Sequence, residues 1–205
     1  MLRELYYQFL PYRSYAFPIL VLSAIVLPCW LAFRLYRFRT TGRRVSFRRE
    51  FLLLILVFYL VGLAVATLTP NRSDRLIAEG RGGIELRPNL ALLTCSPAFM
   101  PHGASVGRFC EYNRRANLAL FFPLGILIPL VGTSVRFKRG ILIAIGLSFS
   151  IELVQYLSSA WGSYRAVDVN DFILNVFGAA LGLALVSLLR WRPKKTAEVT
   201  VDLPA

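Results

Sequence analysis

The chain has 205 residues, of which 56% are hydrophobic and 17% are charged, and its 24 Lys and Arg against 11 Asp and Glu give a net charge of +13. This composition excludes a disordered chain, a coiled coil and a collagen, and the long apolar blocks argue against an ordinary soluble domain. No nucleic-acid partner is expected, because no recognition motif accompanies the basic charge.

Five apolar segments, in chain order, are long enough to cross a bilayer as helices. Each spans roughly 24–28 Å at ~1.5 Å per residue, so flanking residues must extend the helices across a ~30 Å hydrocarbon core. The segments are 15–33, 51–68, 116–131, 141–157 and 172–189. We therefore predict an all-α integral membrane protein, a bundle of about five transmembrane helices.

The Lys and Arg residues between these segments predict the orientation of the chain. Segments 34–50, 132–140 and 190–205 together contain 14 of them, against three in segments 1–14 and 158–171. Positive residues favour the cytoplasmic side, so the N-terminus is predicted outside and the C-terminus inside. The expected location is the cell (plasma) membrane, as a multi-pass protein with membrane lipids as partners.

The chain then divides into four parts. We expect an outer interfacial lead-in, a first transmembrane helix with a basic cytoplasmic loop, a main membrane domain with an outer loop at 69–115, and a cytoplasmic tail. Their bounds are 1–14, 15–50, 51–190 and 191–205.

Two of the three cysteines, Cys95 and Cys110, lie in the outer loop. On the oxidising side of a membrane they are candidates for a disulfide, with two free thiols as the alternative. A zinc site with the intervening His102 is disfavoured, because it lacks a fourth ligand.

Polar residues inside the fourth segment are the first candidates for a site. Glu152 and Gln155 are three residues apart and share a helix face with Ser148. A carboxylate at this depth costs several kcal/mol unless it is paired or faces water. It is either a hydrogen-bonded structural glutamate or part of a functional site.

The start of the fifth segment presents one continuous stripe, Asp168, Asp171, Asn175, Gly178 and Gly182, with spacings of 3, 4, 3 and 4. The glycines allow another helix to approach closely, and we expect this face to pack on the fourth segment, so that Glu152 meets Asn175. Asp168 also stands where a helix N-cap is expected.

Arginines flank these polar residues in sequence. Arg165 precedes Asp168 by three residues, and Arg114 and Arg115 precede Asn117 at the start of the third segment. Adjacent arginines at an interface either face lipid headgroups or bind a phosphate.

On the predicted topology these clusters reach one level near the outer surface, which predicts a polar pocket walled by the third, fourth and fifth helices. Catalytic candidates are Glu152, Asp171 and Asp168. Ligand-binding candidates are Arg165, Asn117, Gln155, Asn175, Arg114 and Arg115. The hard oxygen ligands are also compatible with a divalent cation such as magnesium as a cofactor.

The same residues resemble the VanZ-like family of membrane proteins. The similarity covers roughly residues 51–190. Upstream it includes Leu68–Thr69–Pro70 and Arg87–Pro88–Asn89–Leu90, followed here by Ala91–Leu92 where the family more often has a Pro-Phe pair. It rests further on three spaced patterns. These are Asn117–Pro123–Gly125, Glu152-x-x-Gln155 and Arg165-x-x-Asp168-x-x-Asp171-x-x-x-Asn175-x-x-Gly178. The resemblance implies a small membrane protein linked to the cell envelope and to resistance to the antibiotic teicoplanin, and it does not imply a particular reaction.

Four functions remain open from the sequence. The first is binding of an anionic lipid-linked envelope molecule, such as a polyprenyl phosphate or cell-wall precursor, or of a glycopeptide-related ligand, with or without a role in antibiotic resistance. The second is an enzyme acting on a lipid-linked phosphate, with Glu152 or Asp171 as general base. The others are a transporter or flippase-type helper and a structural partner of another membrane protein.

Overall fold

The structure is a computed structural model that describes residues 13–41, 46–69, 89–92, 106–132, 136–159 and 167–190. In these residues it consists of five α-helices without a β-strand. The helices are α1 (Arg13–Thr41), α2 (Phe47–Leu68), α3 (Val106–Val131), α4 (Phe137–Ser159) and α5 (Val169–Arg190). All five are long and apolar enough to cross a membrane, which confirms the predicted all-α, multi-span class.

The helices extend beyond the predicted apolar segments. Helix α3 begins at Val106 instead of Ala116, so the last part of the predicted outer loop is helical. Helix α1 continues to Thr41. A helix that leaves the hydrocarbon core keeps its backbone hydrogen bonds internal, so nothing forces it to end at the apolar boundary. The lead-in before Arg13 and the tail after Arg190 lie outside the described residues.

The two ends of the bundle differ in chemistry. At one end Asn113 of α3 contacts Asp171 of α5, and at the other Arg190 of α5 donates to the Pro129 carbonyl of α3, so α3 and α5 run parallel. We call the first, with Glu152, Asp168 and Asp171, the polar end. The opposite end is called the basic end, and its described basic residues are Arg34, Arg37, Arg39, Arg48, Arg49, Arg136, Lys138, Arg139 and Arg190.

The core lies among α2, α3, α4 and α5, around the fully buried Phe121 and Ala144. Helix α1 is peripheral and packs on α2, where Arg34 forms a two-pronged ion pair with Glu50. Large side chains such as Phe17 and Leu20 of α1 are more than half exposed, as expected for a helix that faces lipid.

Helices α3 and α5 pack backbone to backbone through glycines. A Cβ atom on Gly178 would overlap the Leu118 carbonyl oxygen, and one on Gly182 would overlap that of Phe122. In the other direction, a Cβ atom on Gly125 would overlap the Ala179 carbonyl oxygen. The expectation that the glycine face of α5 packs on the fourth helix is therefore wrong, because its partner is α3. Gly125 of α3 supplies the matching gap, which lets the two helices approach closely from both sides.

Candidate functional site

Glu152 of α4 lies at the centre of the polar end. Its side chain is half-buried, and Oε2 accepts a hydrogen bond from the backbone N–H of Asp168 at 3.3 Å. It is within electrostatic range of the carboxylates of Asp168 and Asp171. Among the described residues Oε1 has no hydrogen-bond donor, so one oxygen of this carboxylate is available to a ligand.

Asp168 holds the start of α5 in place. It is buried, and its Oδ1 accepts from the backbone N–H of Asn170 at 2.8 Å, which is the geometry of a helix N-cap. Oδ2 accepts from the side-chain amide of Asn89 at 3.0 Å. Both oxygens and the backbone N–H of Asp168 are thus engaged, so this residue positions Glu152 and the helix. It is a poorer candidate for proton transfer than Glu152.

The short segment 89–92 joins the site through the backbone. The Asn89 N–H donates to the Val167 carbonyl at 2.9 Å, and the Val169 N–H donates to the Asn89 carbonyl at 3.0 Å, as in a parallel β-bridge. The Asn170 amide also reaches the Ala91 carbonyl at 3.0 Å. The predicted site omitted Asn89 and Asn170, although Asn89 belongs to a segment that resembles the VanZ-like family. For Asn170 the signal was available, because it lies between Asp168 and Asp171 in the first turn.

Amide side chains of α3 face the carboxylate side of α5. Asn113 donates to Asp171 Oδ1 at 2.9 Å. One turn further into the bundle, Asn117 and Asn175 occupy the same register, and Asn117 Nδ2 and Asn175 Oδ1 are both buried without a hydrogen-bond partner. A donor and an acceptor left open at one level can bind a water molecule or a polar group of a ligand. Asn113 was also missed, although it is one turn before Asn117.

Other predicted residues have structural partners between helices. Gln155 donates to the Thr67 carbonyl of α2 at 2.8 Å, and the Asn175 amide donates to Ser148 Oγ of α4 at 3.1 Å. Asn175 therefore meets α4 at Ser148, one turn before Glu152, whereas we expected contact with Glu152 itself. Such bonds tie helices together within a membrane.

Arg114 and Arg115 have partners on their own helix. Arg115 is largely exposed and pairs with Glu111 on its own helix, and Arg114 donates to the Cys110 carbonyl at 3.3 Å. Arg165 lies outside the described residues. Neither ion pair that we find in the described ranges, Arg34–Glu50 and Arg115–Glu111, involves Glu152.

Cys110 is buried near the start of α3 and is disulfide-bonded, while Cys29 of α1 is a free thiol. Cys95 lies outside the described residues, so the Cys95–Cys110 pairing stays a prediction. In the part of the chain that the structure describes, no three His, Cys, Asp or Glu side chains are grouped to hold a metal ion. The magnesium hypothesis stays a prediction.

The polar end therefore gathers carboxylates and amides from α3, α4, α5 and segment 89–92. Carboxylates accept hydrogen bonds from hydroxyl, amide and ammonium groups, and amides both donate and accept. The arrangement can bind a hydrogen-bonding headgroup, and Glu152 can also accept a proton.

Five membrane-length helices with this polar cluster at one end define a multi-pass membrane protein with a candidate site at an end of its bundle. A sequence profile of the VanZ/LLP1 family matches residues 51–190, about two thirds of the chain, and the chain belongs to that family. The match confirms the suspected VanZ-like resemblance, and it begins after α1. No curated protein and no solved structure matches the chain.

Proposed function

We propose that this protein binds the headgroup of an anionic lipid-linked envelope molecule at the polar end of its bundle. The observation that carries the proposal is the placement of Glu152. It is a half-buried carboxylate in a membrane-length helix, held by the Asp168 N–H on one oxygen and open on the other. Keeping a carboxylate there costs free energy, which a bound polar group would offset.

The surrounding chemistry supports a ligand with both polar and charged parts. Hydroxyl or amide groups of a sugar or peptide would donate to Glu152 and Asp171, and the open amide atoms of Asn117 and Asn175 would pair deeper in the bundle. A phosphate would meet Arg114 and Arg165, which flank the site in the sequence, while Arg115 is paired with Glu111. A protein that holds a cell-wall precursor in this way can alter its access to an antibiotic, which is how a resistance role would arise.

The test is native mass spectrometry of the full chain purified in mild detergent, with and without added polyprenyl phosphate. Glu152→Gln keeps the shape and removes the charge, and we expect about tenfold to hundredfold weaker retention of the ligand, since a hydrogen bond to a charged group contributes roughly 1.5–3 kcal/mol. Glu111→Gln is the matched control, because Glu111 is an exposed carboxylate at the same end. Equal retention by both variants and the original chain would contradict the proposal.

An enzyme acting on a lipid-linked phosphate is the second candidate, and the open oxygen of Glu152 favours it as general base. Here Glu152→Gln should retain the ligand at full occupancy while turnover stops. A binding protein instead loses occupancy and shows no product. The mass of the retained ligand, measured after incubation, distinguishes the two.

A further inference from the structure

A cavity lies at the basic end of the bundle, between α1 and the first turns of α2. Its volume is about 490 Å³, within the ~300–1,000 Å³ range of small-molecule sites. It lies mostly on α1 and the start of α2, and all its α1 residues precede the family match at 51–190. The cavity is therefore separate from the candidate site at the polar end.

The cavity has an excess of positive charge. Three arginines line it, Arg34, Arg37 and Arg49, against one carboxylate, Glu50. Arg34 is neutralised by Glu50, to which its Nε donates at 2.8 Å. Within the described ranges, Arg37 and Arg49 have no carboxylate partner, so two guanidinium groups at this site are left for an anion.

Polarity also changes along the cavity. The Arg34–Glu50 pair fixes α1 and α2 as an antiparallel hairpin, so Trp30 and Leu31 of α1 lie level with Leu54 of α2 on the membrane side of that pair. On the other side, toward the ends of the helices, Arg37 and Thr41 line the cavity together with Phe38 and Phe47. All the cations therefore lie at or beyond the Arg34–Glu50 pair, and the membrane side of the cavity is apolar, which matches the order of headgroup and acyl chain in a phospholipid.

We propose that this cavity binds one anionic glycerophospholipid, with its phosphate on Arg37 and Arg49 and the upper part of an acyl chain along Leu31 and Leu54. Guanidinium groups bind phosphate oxygens in a two-pronged geometry that an exposed lysine does not offer. Free phosphate would use the two arginines and make no contact with the apolar walls. The apolar contacts therefore favour a lipid over a soluble anion.

The experiment measures lipid retention by the full chain in native mass spectrometry, with phosphatidylglycerol, phosphatidylcholine or inorganic phosphate added as probes. We expect one retained phosphatidylglycerol per chain, with weaker retention of the neutral-charge phosphatidylcholine. The double variant Arg37→Gln/Arg49→Gln should bind phosphatidylglycerol about thirtyfold more weakly, since each basic residue near a membrane surface contributes about fivefold.

The matched control is Arg39→Gln/Arg48→Gln, which removes the same charge from the same two helices at positions that do not line the cavity. Retention by the control should stay within about threefold of the original chain, given the screening of exposed charges. An equal loss in both double variants would show a diffuse surface attraction and overturn the proposal. Displacement of the lipid by millimolar inorganic phosphate would overturn it as well, because the ligand would then be the anion alone.

Discussion

Asn113 and Asn117 lie one turn apart on α3, and their side-chain amides differ in hydrogen bonding. Asn113 donates to Asp171, whereas Asn117 has a buried Nδ2 without a partner. An unpaired buried donor costs roughly 1–3 kcal/mol of stability. A residue retained at such a cost is a candidate for ligand binding, because activity and stability often conflict at functional sites.

This difference predicts opposite effects for the same substitution. Asn117→Leu, which removes the unpaired amide at similar size, should raise the free energy of unfolding by about 1 kcal/mol. Asn113→Leu breaks the contact with Asp171 and should lower it by about 1–3 kcal/mol. Thermal unfolding of the two variants in detergent, side by side, measures both.

Destabilisation by Asn117→Leu would mean that the amide already has a partner, such as a bound water, in the protein without ligand. It would then have no open donor to offer a headgroup. Ligand retention by the stabilised variant gives a second readout, and it should fall if Asn117 belongs to the site.

Helix α5 packs against two neighbouring helices through two different faces. Gly178 and Gly182 meet the backbone of α3, while Asn175 meets Ser148 of α4 and Leu183 packs over Gly140. The polar first turn of α5 lies closer to the polar end than its contacts with α3 and α4 do. Close packing of α3 on α5 therefore holds Asn113 near Asp171 at the polar end.

Adding one methyl group to the α3–α5 interface should disturb this arrangement. Gly182→Ala places a Cβ against the Phe122 carbonyl, and backbone must move, so we expect a loss of about 1–3 kcal/mol. Gly146→Ala is the control, because its Cβ would have nothing within 4 Å. That variant should gain roughly 0.5–1 kcal/mol from better helix propensity. Thermal unfolding compares the two, and equal stability would mean that the helices are further apart than the structure shows.

At the scale of the whole molecule, the sequence predicted the features that depend on local pattern. Each of the five predicted apolar segments lies within a membrane-length helix. The N-cap role of Asp168 also followed from its position at the start of a helix.

Features that depend on distant partners were not predictable. The backbone bridge from Asn89 to residues 167 and 169 joins segments 79 residues apart, and no periodicity indicates it. Spacing showed that α5 has a glycine face, but the choice of α3 over α4 as its partner depends on the complementary Gly125. The arginines were assigned to a pocket by charge alone, and the partner of Arg115 turned out to be Glu111, on the same helix.

The proposed ligand depends on the orientation of the bundle, because an envelope molecule of this kind is reached from the outer face. The basic end should face the cytoplasm, because Lys and Arg in short loops resist translocation. The polar end includes the disulfide-bonded Cys110, and such bonds persist on the oxidising side of a membrane. These two independent signals agree, so a reporter active only in the cytoplasm should be active after Ala205. A reporter active only outside should work when inserted between residues 70 and 88. The opposite result would be that both reporters are inactive at these positions and become active when their positions are exchanged. Glu152 would then lie on the cytoplasmic side, and the case for an outer envelope ligand would be removed.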